Sequence, residues 1–170
     1  MRQFIQRLIQ PGAFLALALA LSANATGGAP ANPTEDNRRI VTDAYGRWAA
    51  GGTRFFDEVI ADEVIWTIKG SGPSAGTYHG REAFMAHAVR PFFARLSTPV
   101  RPRHFQIWAD GAHVIAQWEG HAVARDGQPY RNEFVWIFRM RNGKAIEVTA
   151  FLDLTRYDDV LRRIPSPAPE

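Results

Sequence analysis

Tyr130–Asp153 reads YRNEFVWIFRMRNGKAIEVTAFLD. Two runs rich in β-branched and aromatic residues, Pro129–Met140 and Ala145–Leu154, flank Asn142-Gly143. Asn-Gly is a strong hairpin signal, because both residues tolerate the positive φ of a tight turn whose twist matches that of its strands. The stretch therefore predicts an antiparallel pair. The same chemistry recurs upstream. Asp126-Gly127 and Asp110-Gly111 separate strand-like runs at Ala112–Ala124 and His104–Ala109, so everything from Arg103 onward reads as strand and turn.

The first half reads differently. Asn32 suits a helix cap, Pro33 the first helical position, and Glu35 completes a capping box. Ile40, Ala44, Tyr45 and Trp48 then share one face at helical spacing, and Gly51-Gly52 ends the helix. Thr53–Ile60 predicts a short second helix burying Phe55, Phe56, Val59 and Ile60. Val64–Ile68 alternates like a strand, and Gly70–Gly80 is a Gly/Ser/Pro-rich loop. Arg81–Leu96 is a third helix that Pro91 should break or kink. Tyr157–Arg163 forms a last helical turn. The layout predicts an α+β domain, with helices packed over the concave face of a curved antiparallel sheet. It spans residues 33–163, between a disordered lead-in at 26–32 and a flexible tail at 164–170.

Residues 1–25 are set apart from that domain. Arg2 and Arg7 precede an unbroken apolar run, Gly12–Leu21, and Ala23-Asn24-Ala25 follows as a small-x-small site. This is the pattern of a secretory signal peptide cleaved after Ala25, which implies a secreted or periplasmic protein. The competing reading is a membrane anchor. The apolar run is shorter than the roughly 20 residues that span a bilayer, so the membrane enters only through an uncleaved signal. Without Arg2 and Arg7 the chain has 18 basic against 17 acidic residues, a balance that offers nothing to a nucleic acid. Cysteine is absent, which excludes disulfides and cysteine-based metal sites or nucleophiles. No histidine–acid spacing has the form of a metal site, and no phosphate loop, Rossmann fingerprint or Gly-x-Ser-x-Gly elbow is present.

The stretches FFDEVIADEVIWT (Phe55–Thr67), GTYHGREAF (Gly76–Phe84) and Tyr130–Asp153 resemble the second helix and first strand, the loop into the third helix, and the closing hairpin of one superfamily. It is the cone-shaped group of nuclear transport factor two, ketosteroid isomerase and SnoaL-like polyketide cyclases, and the chain is most similar to its SnoaL-like branch. The resemblance covers Thr34–Leu161. It implies a pocket for a small hydrophobic molecule in the concave face, no cofactor, and a homodimer formed through the convex face. The fold hosts several chemistries, so the site residues must decide the function.

Two-residue hairpin turns set Trp118 opposite Val135, Gly120 opposite Glu133, and Val135 opposite Ala150. Pairs across an antiparallel ladder share a face. The pocket face then holds Phe105, Trp118, Val135, Ala150 and Leu152, joined from the first strand by Trp66 and Ile68. Glu133 is its lone acid. A carboxyl group among such neighbours is desolvated, which raises its pKa and suits general acid/base work near neutral pH. The alternative is a carboxylate at the mouth, paired to Arg103 or Arg131. The convex face receives Phe134, Trp136, Phe138 and Phe151, an aromatic stripe that calls for dimerisation or for cover by the C-terminal segment.

Carried over residue by residue, the resemblance is partial. Tyr45 falls on the oxyanion tyrosine of ketosteroid isomerase, but its general base falls on Ile68 and its second donor at or beside Trp136. The Asp–Arg–Asp set of limonene-type epoxide hydrolases falls on Trp118, Gly120 and Ala150. A dehydratase-type histidine pair has candidates only in His79 and His87, expected at the rim. Two functions follow. One is an isomerase-, cyclase- or dehydratase-type enzyme in which Glu133 moves a proton and Tyr45 donates. The other is a non-catalytic binding or dimeric interaction module.

Overall fold

The computed structural model describes residues 32–165. The expected signal segment at 1–25, the lead-in up to residue 31 and the tail from residue 166 lie outside the described residues.

Helix α1, Pro33–Ala49, begins as its sequence dictates. The Asn32 side chain accepts from the Glu35 amide at 3.4 Å, and Val41, Ala44, Tyr45 and Trp48 are its buried side. Helix α2 is short, Phe55–Val59, and leads directly into β1, Ile60–Ile68. Then come β2 (Gly76–His79), α3 (Arg81–Phe84), a π-helical turn (Met85–Val89) and α4 (Arg90–Phe93). Four strands follow, β3 (Leu96–Asp110), β4 (His113–Ala124), β5 (Pro129–Arg141) and β6 (Lys144–Leu152), and helix α5, Leu154–Arg163, ends the fold. The strands make one sheet in the order β2-β1-β6-β5-β4-β3.

The α+β architecture is the expected one, with five differences. The sheet is not wholly antiparallel, because β6 lies between β1 and β5 and runs parallel to β1. The segment expected as loop contains β2, whose Tyr78 and Thr77 pair with Trp66 and Thr67. The third helix absorbs Pro91 through its π-helical turn. Pro has no N–H and its ring crowds the carbonyl four residues back; here the Arg90 N–H reaches five residues back, to Met85 O, and the helix continues. Ile164, read as part of the tail, is instead buried.

The register of β5 differs most. The β4–β5 hairpin closes between Ala124 and Gln128 with three residues in the loop, Gly127 holding φ 81°. A three-residue hairpin with glycine in the left-handed position is a standard alternative to the two-residue turn. The Asn142-Gly143 turn has two residues as expected, both at positive φ, but β6 then bulges, so that Met140 faces Ala145 while Arg139 faces Glu147. Each event slips the ladder by one residue, and a one-residue slip exchanges the faces of a strand. Trp118 therefore faces Phe134, Gly120 faces Asn132, and Trp136 faces Ala150. Phe134, Trp136 and Phe138 point into the core and are buried; Glu133, Val135 and Ile137 point outward.

Candidate functional site: an aromatic cleft under the helices

The concave interior is built from rings on strands β1, β4 and β5 and on helices α1 to α4. Trp136 of β5 forms the floor. Trp66 of β1 meets it edge-on, with centroids 5.0 Å apart at 83°, and Trp118 of β4 does the same at 4.8 Å and 77°. Each wall is backed by a phenylalanine. Phe84 of α3 stacks on Trp66 at 4.0 Å and 14°, and Phe134 stacks on Trp118 at 4.0 Å and 9°. Trp48 of α1 and Phe56 of α2 close one side, and Ala88 and Val89 of the π-helical turn cover the top with Phe92 of α4. The space left between them is about 60 Å³. That is below the roughly 150 Å³ cavity that holds one benzene ring.

Polar groups in this interior are few. Asn132 is buried but fully engaged. Its amide nitrogen donates to Tyr130 Oη and Asp153 O, and its oxygen accepts from the Asp153 amide at 3.1 Å. The Tyr157 hydroxyl donates to Ala88 O at 2.9 Å, tying α5 to the π-helical turn. By contrast, Tyr45 Oη, Trp66 Nε1 and Trp118 Nε1 are buried without a hydrogen-bond partner among the described residues. Leaving such a donor unpaired costs about 1–3 kcal/mol. Burial pushes the Tyr45 phenol well above its ordinary pKa, and the neighbouring Trp118 opposes this only in part.

The expected site residues divide accordingly. Trp66, Ile68, Trp118, Ala150 and Leu152 line the cleft. Phe105 is on the same face but packs beside Tyr45, at 5.5 Å between centroids. Glu133 and Val135 do not line it. The slipped register places both on the outer face, where Glu133 is exposed and sits directly across from Glu119. Glu133 therefore lacks the apolar burial on which its role as a proton shuttle rested. His79 and His87 are exposed and line no part of the cleft. Tyr45 is fully buried below the walls, in edge contact with Trp118 at 5.9 Å.

A six-stranded curved sheet, helices over its concave face and an aromatic interior fit the fold that the sequence resembled, and a family comparison decides the matter. Residues 41–148 match the SnoaL-like domain family. The chain belongs to the SnoaL-like family. Solved structures agree on the fold of this SnoaL-like domain. Bal32a from a soil-derived mobile gene cassette superposes with a TM-score of 0.63 at 23% identity, covering 77% of this chain and 100% of that one. A protein described as a SnoaL-like polyketide cyclase, from Jannaschia sp. CCS1, gives 0.57 at 19% identity, covering 82% and 100%. TerC, co-crystallised with polyporic acid, gives 0.55 at 19% identity, covering 75% and 98%. No curated protein matches the sequence significantly.

Sequence reasoning missed Phe134 and Trp136 as lining residues of the SnoaL-like cleft, along with Phe84, Ala88, Phe92 and Tyr157. A usable signal existed for the first two. Of the two alternating sets in β5, the one with larger rings belongs in the closed interior, since burying them removes the most apolar surface from water.

Proposed function

We propose that this SnoaL-like domain is an exported binding protein whose concave cleft takes up a small, flat, hydrophobic molecule. The observation that carries this reading is the lining itself. Four tryptophans and several phenylalanines surround the space, and no carboxylate, histidine or other charged side chain is among the residues that line it. Acid/base chemistry of the isomerase or cyclase kind needs a group within reach of the substrate proton. Glu133, the acid considered for that task, is on the far side of the sheet. Ligand binding is thus favoured over proton transfer, and the polyketide cyclase among the structural neighbours is a guide to fold alone. Because a ring exceeds the present space, uptake requires the π-helical segment and α5 to move outward.

The test is saturable binding of N-phenyl-1-naphthylamine by the full-length chain, read by probe fluorescence. One site per chain is expected, and Ala88→Leu, which fills the top of the cleft, should weaken it at least tenfold while keeping the native near-UV circular dichroism. Absence of saturable binding, or binding indifferent to Ala88→Leu in a folded variant, would overturn the reading.

The outer face supports a second proposal, a homodimer. The expected stripe of Phe134, Trp136 and Phe138 is not there, but another is. Trp108 (47% exposed), Ile115 (37%) and Phe151 (45%) are exposed on this face, as is Ile65 (40%) of β1, and Ile137 continues the ladder row of Trp108 and Ile115. Exposed apolar patches of this kind mark association surfaces.

A further inference from the structure

The sheet ends on one side in the short β2 and on the other in β3, the longest strand of the fold. The direction of the β3 backbone groups follows from its neighbours. Ala124 N–H donates to Gln128 O and Met140 N–H to Ala112 O, which places the hydrogen-bonded pairs of β4 and β5 on their even-numbered residues. Bonding alternates along an antiparallel strand, so the odd-numbered residues of β4 turn to β3. Their partners there are Gln106, Trp108 and Asp110. The N–H and C=O groups of Phe105, Ile107 and Ala109 therefore point away from the sheet, and no group among the described residues bonds to them. Unpaired edges invite further strands, and folded proteins blunt them with proline, lysine, bulges or brevity. The first part of β3 is blunted in this way, with Pro99, Pro102 and repeated register shifts before Phe105. From Phe105 to Asp110 the register is unbroken, and the stretch has no proline and no charge before Asp110 itself.

We propose that this edge is a contact between two copies of the chain, in which β3 lies antiparallel to β3 about a two-fold axis at Ile107. A two-fold contact requires the stretch to complement itself, and it does. Ile107 meets the partner's Ile107, and Phe105 meets the partner's Ala109, a large ring beside a small side chain. Each of these pairs exchanges two hydrogen bonds. The three side chains are half-buried against the core, and the added strand covers their open flank. On the convex side Gln106 faces the partner's Trp108. His104 faces the partner's Asp110, an imidazole beside a carboxylate at each end of the seam, and both residues are exposed in the single chain. Moving the axis by one residue offers groups that β4 already holds. Moving it by two brings Gly111 of the turn, or the bulge at Pro102, into the seam. The seam is smaller than the apolar face of the sheet. It therefore joins chains at higher concentration than the face dimer proposed above, and is independent of it.

The test is sedimentation equilibrium of the full-length chain, wild type and Phe151→Glu, because in the latter the face contact is broken. Reversible association is expected in both, and in Phe151→Glu it comes from the edge alone. On that background His104→Asp sets two carboxylates together at each end of the seam and should weaken association about tenfold. Adding Asp110→Lys to it should restore the association. Ile107→Pro deletes an N–H that no bond within the chain uses and should abolish it. Amide exchange supplies the signature of the seam. The Phe105, Ile107 and Ala109 amides should exchange freely in dilute solution and become protected on association, while those of Gln106 and Trp108 stay protected throughout. Phe151→Glu that remains monomeric at all concentrations, or that associates regardless of His104→Asp, would overturn the proposal. So would Phe105, Ile107 and Ala109 amides already protected at high dilution, which would mean that a terminal segment of the same chain covers the edge.

Discussion

Trp118 and Phe134 are cross-strand partners on β4 and β5, and their rings lie nearly parallel, 9° apart with centroids separated by 4.0 Å. Gly120, two residues along β4, leaves room for them. A Cβ at that position would meet Phe134 Cε2 at 2.7 Å, Trp118 Cζ3 at 3.0 Å and Val100 Cγ1 at 3.1 Å. Both rings are pinned by the stack, so neither yields easily. Gly120→Ala should destabilise the domain by about 1–3 kcal/mol, read from the urea midpoint at constant m-value. An unchanged midpoint would mean that the stack slides at no cost.

Glu133 tests the register from the outside. It is solvent-exposed and opposite Glu119, and like charges directly across a ladder repel. Glu133→Gln should leave probe binding within twofold of wild type and raise stability slightly at low salt. A loss of binding would restore Glu133 to the site.

Alkaline pH should unfold the protein steeply. Burial raises the pKa of Tyr45, Tyr130 and Tyr157 above the ordinary 10.0, because the phenolate is disfavoured away from water. Above pH 10 the unfolded chain therefore releases protons that the folded chain keeps. Stability is fully present below pH 10 and falls as pH rises beyond it, by up to about 1.4 kcal/mol per pH unit for each buried phenol. Phenolate absorbance should appear together with loss of ellipticity rather than before it. Tyr45→Phe should flatten the pH slope by about one proton, and an unaltered slope would show that Tyr45 ionises in the folded state.

The convex surface makes its own prediction. Phe151→Glu should give monomers in sedimentation at concentrations where the wild type is dimeric. A wild type that is monomeric at all concentrations would dispose of the dimer.

Tyr157 holds the cover of the cleft through its bond to Ala88 O. Tyr157→Phe should cost about 0.5–1.5 kcal/mol and speed amide exchange across residues 85–93 more than in the sheet. Uniform acceleration would mean that the contact stabilises the whole fold and not that segment.

The elements of this fold were legible because local chemistry announces them. Asn32 with Pro33 starts α1, and Asn142-Gly143 makes the final hairpin. Strand phase was less legible. Asp126-Gly127 fits a two- or a three-residue loop, and nothing in Lys144–Glu147 announces the bulge. The two slips cancel across β5, so β4 and β6 kept their expected faces while the strand between them was reversed. That is why Trp118, Ala150 and Leu152 were placed in the cleft and Phe134 and Trp136 were not. β5 is apolar on both faces, so alternation alone offered no arbiter. The unpaired indoles had no sequence signature, because a tryptophan's partner is set by tertiary packing.

The parallel seam between β1 and β6 joins residues 60–68 to residues 145–150. During synthesis, the first long strand must wait for almost the last stretch of the domain before its inner edge is covered, and closure over such a chain separation is slow. Until then Trp66 has only the short β2 beside it. A nascent or truncated SnoaL-like chain ending before Lys144 is consequently an adhesive intermediate, and C-terminal deletions should yield insoluble material rather than a smaller folded unit.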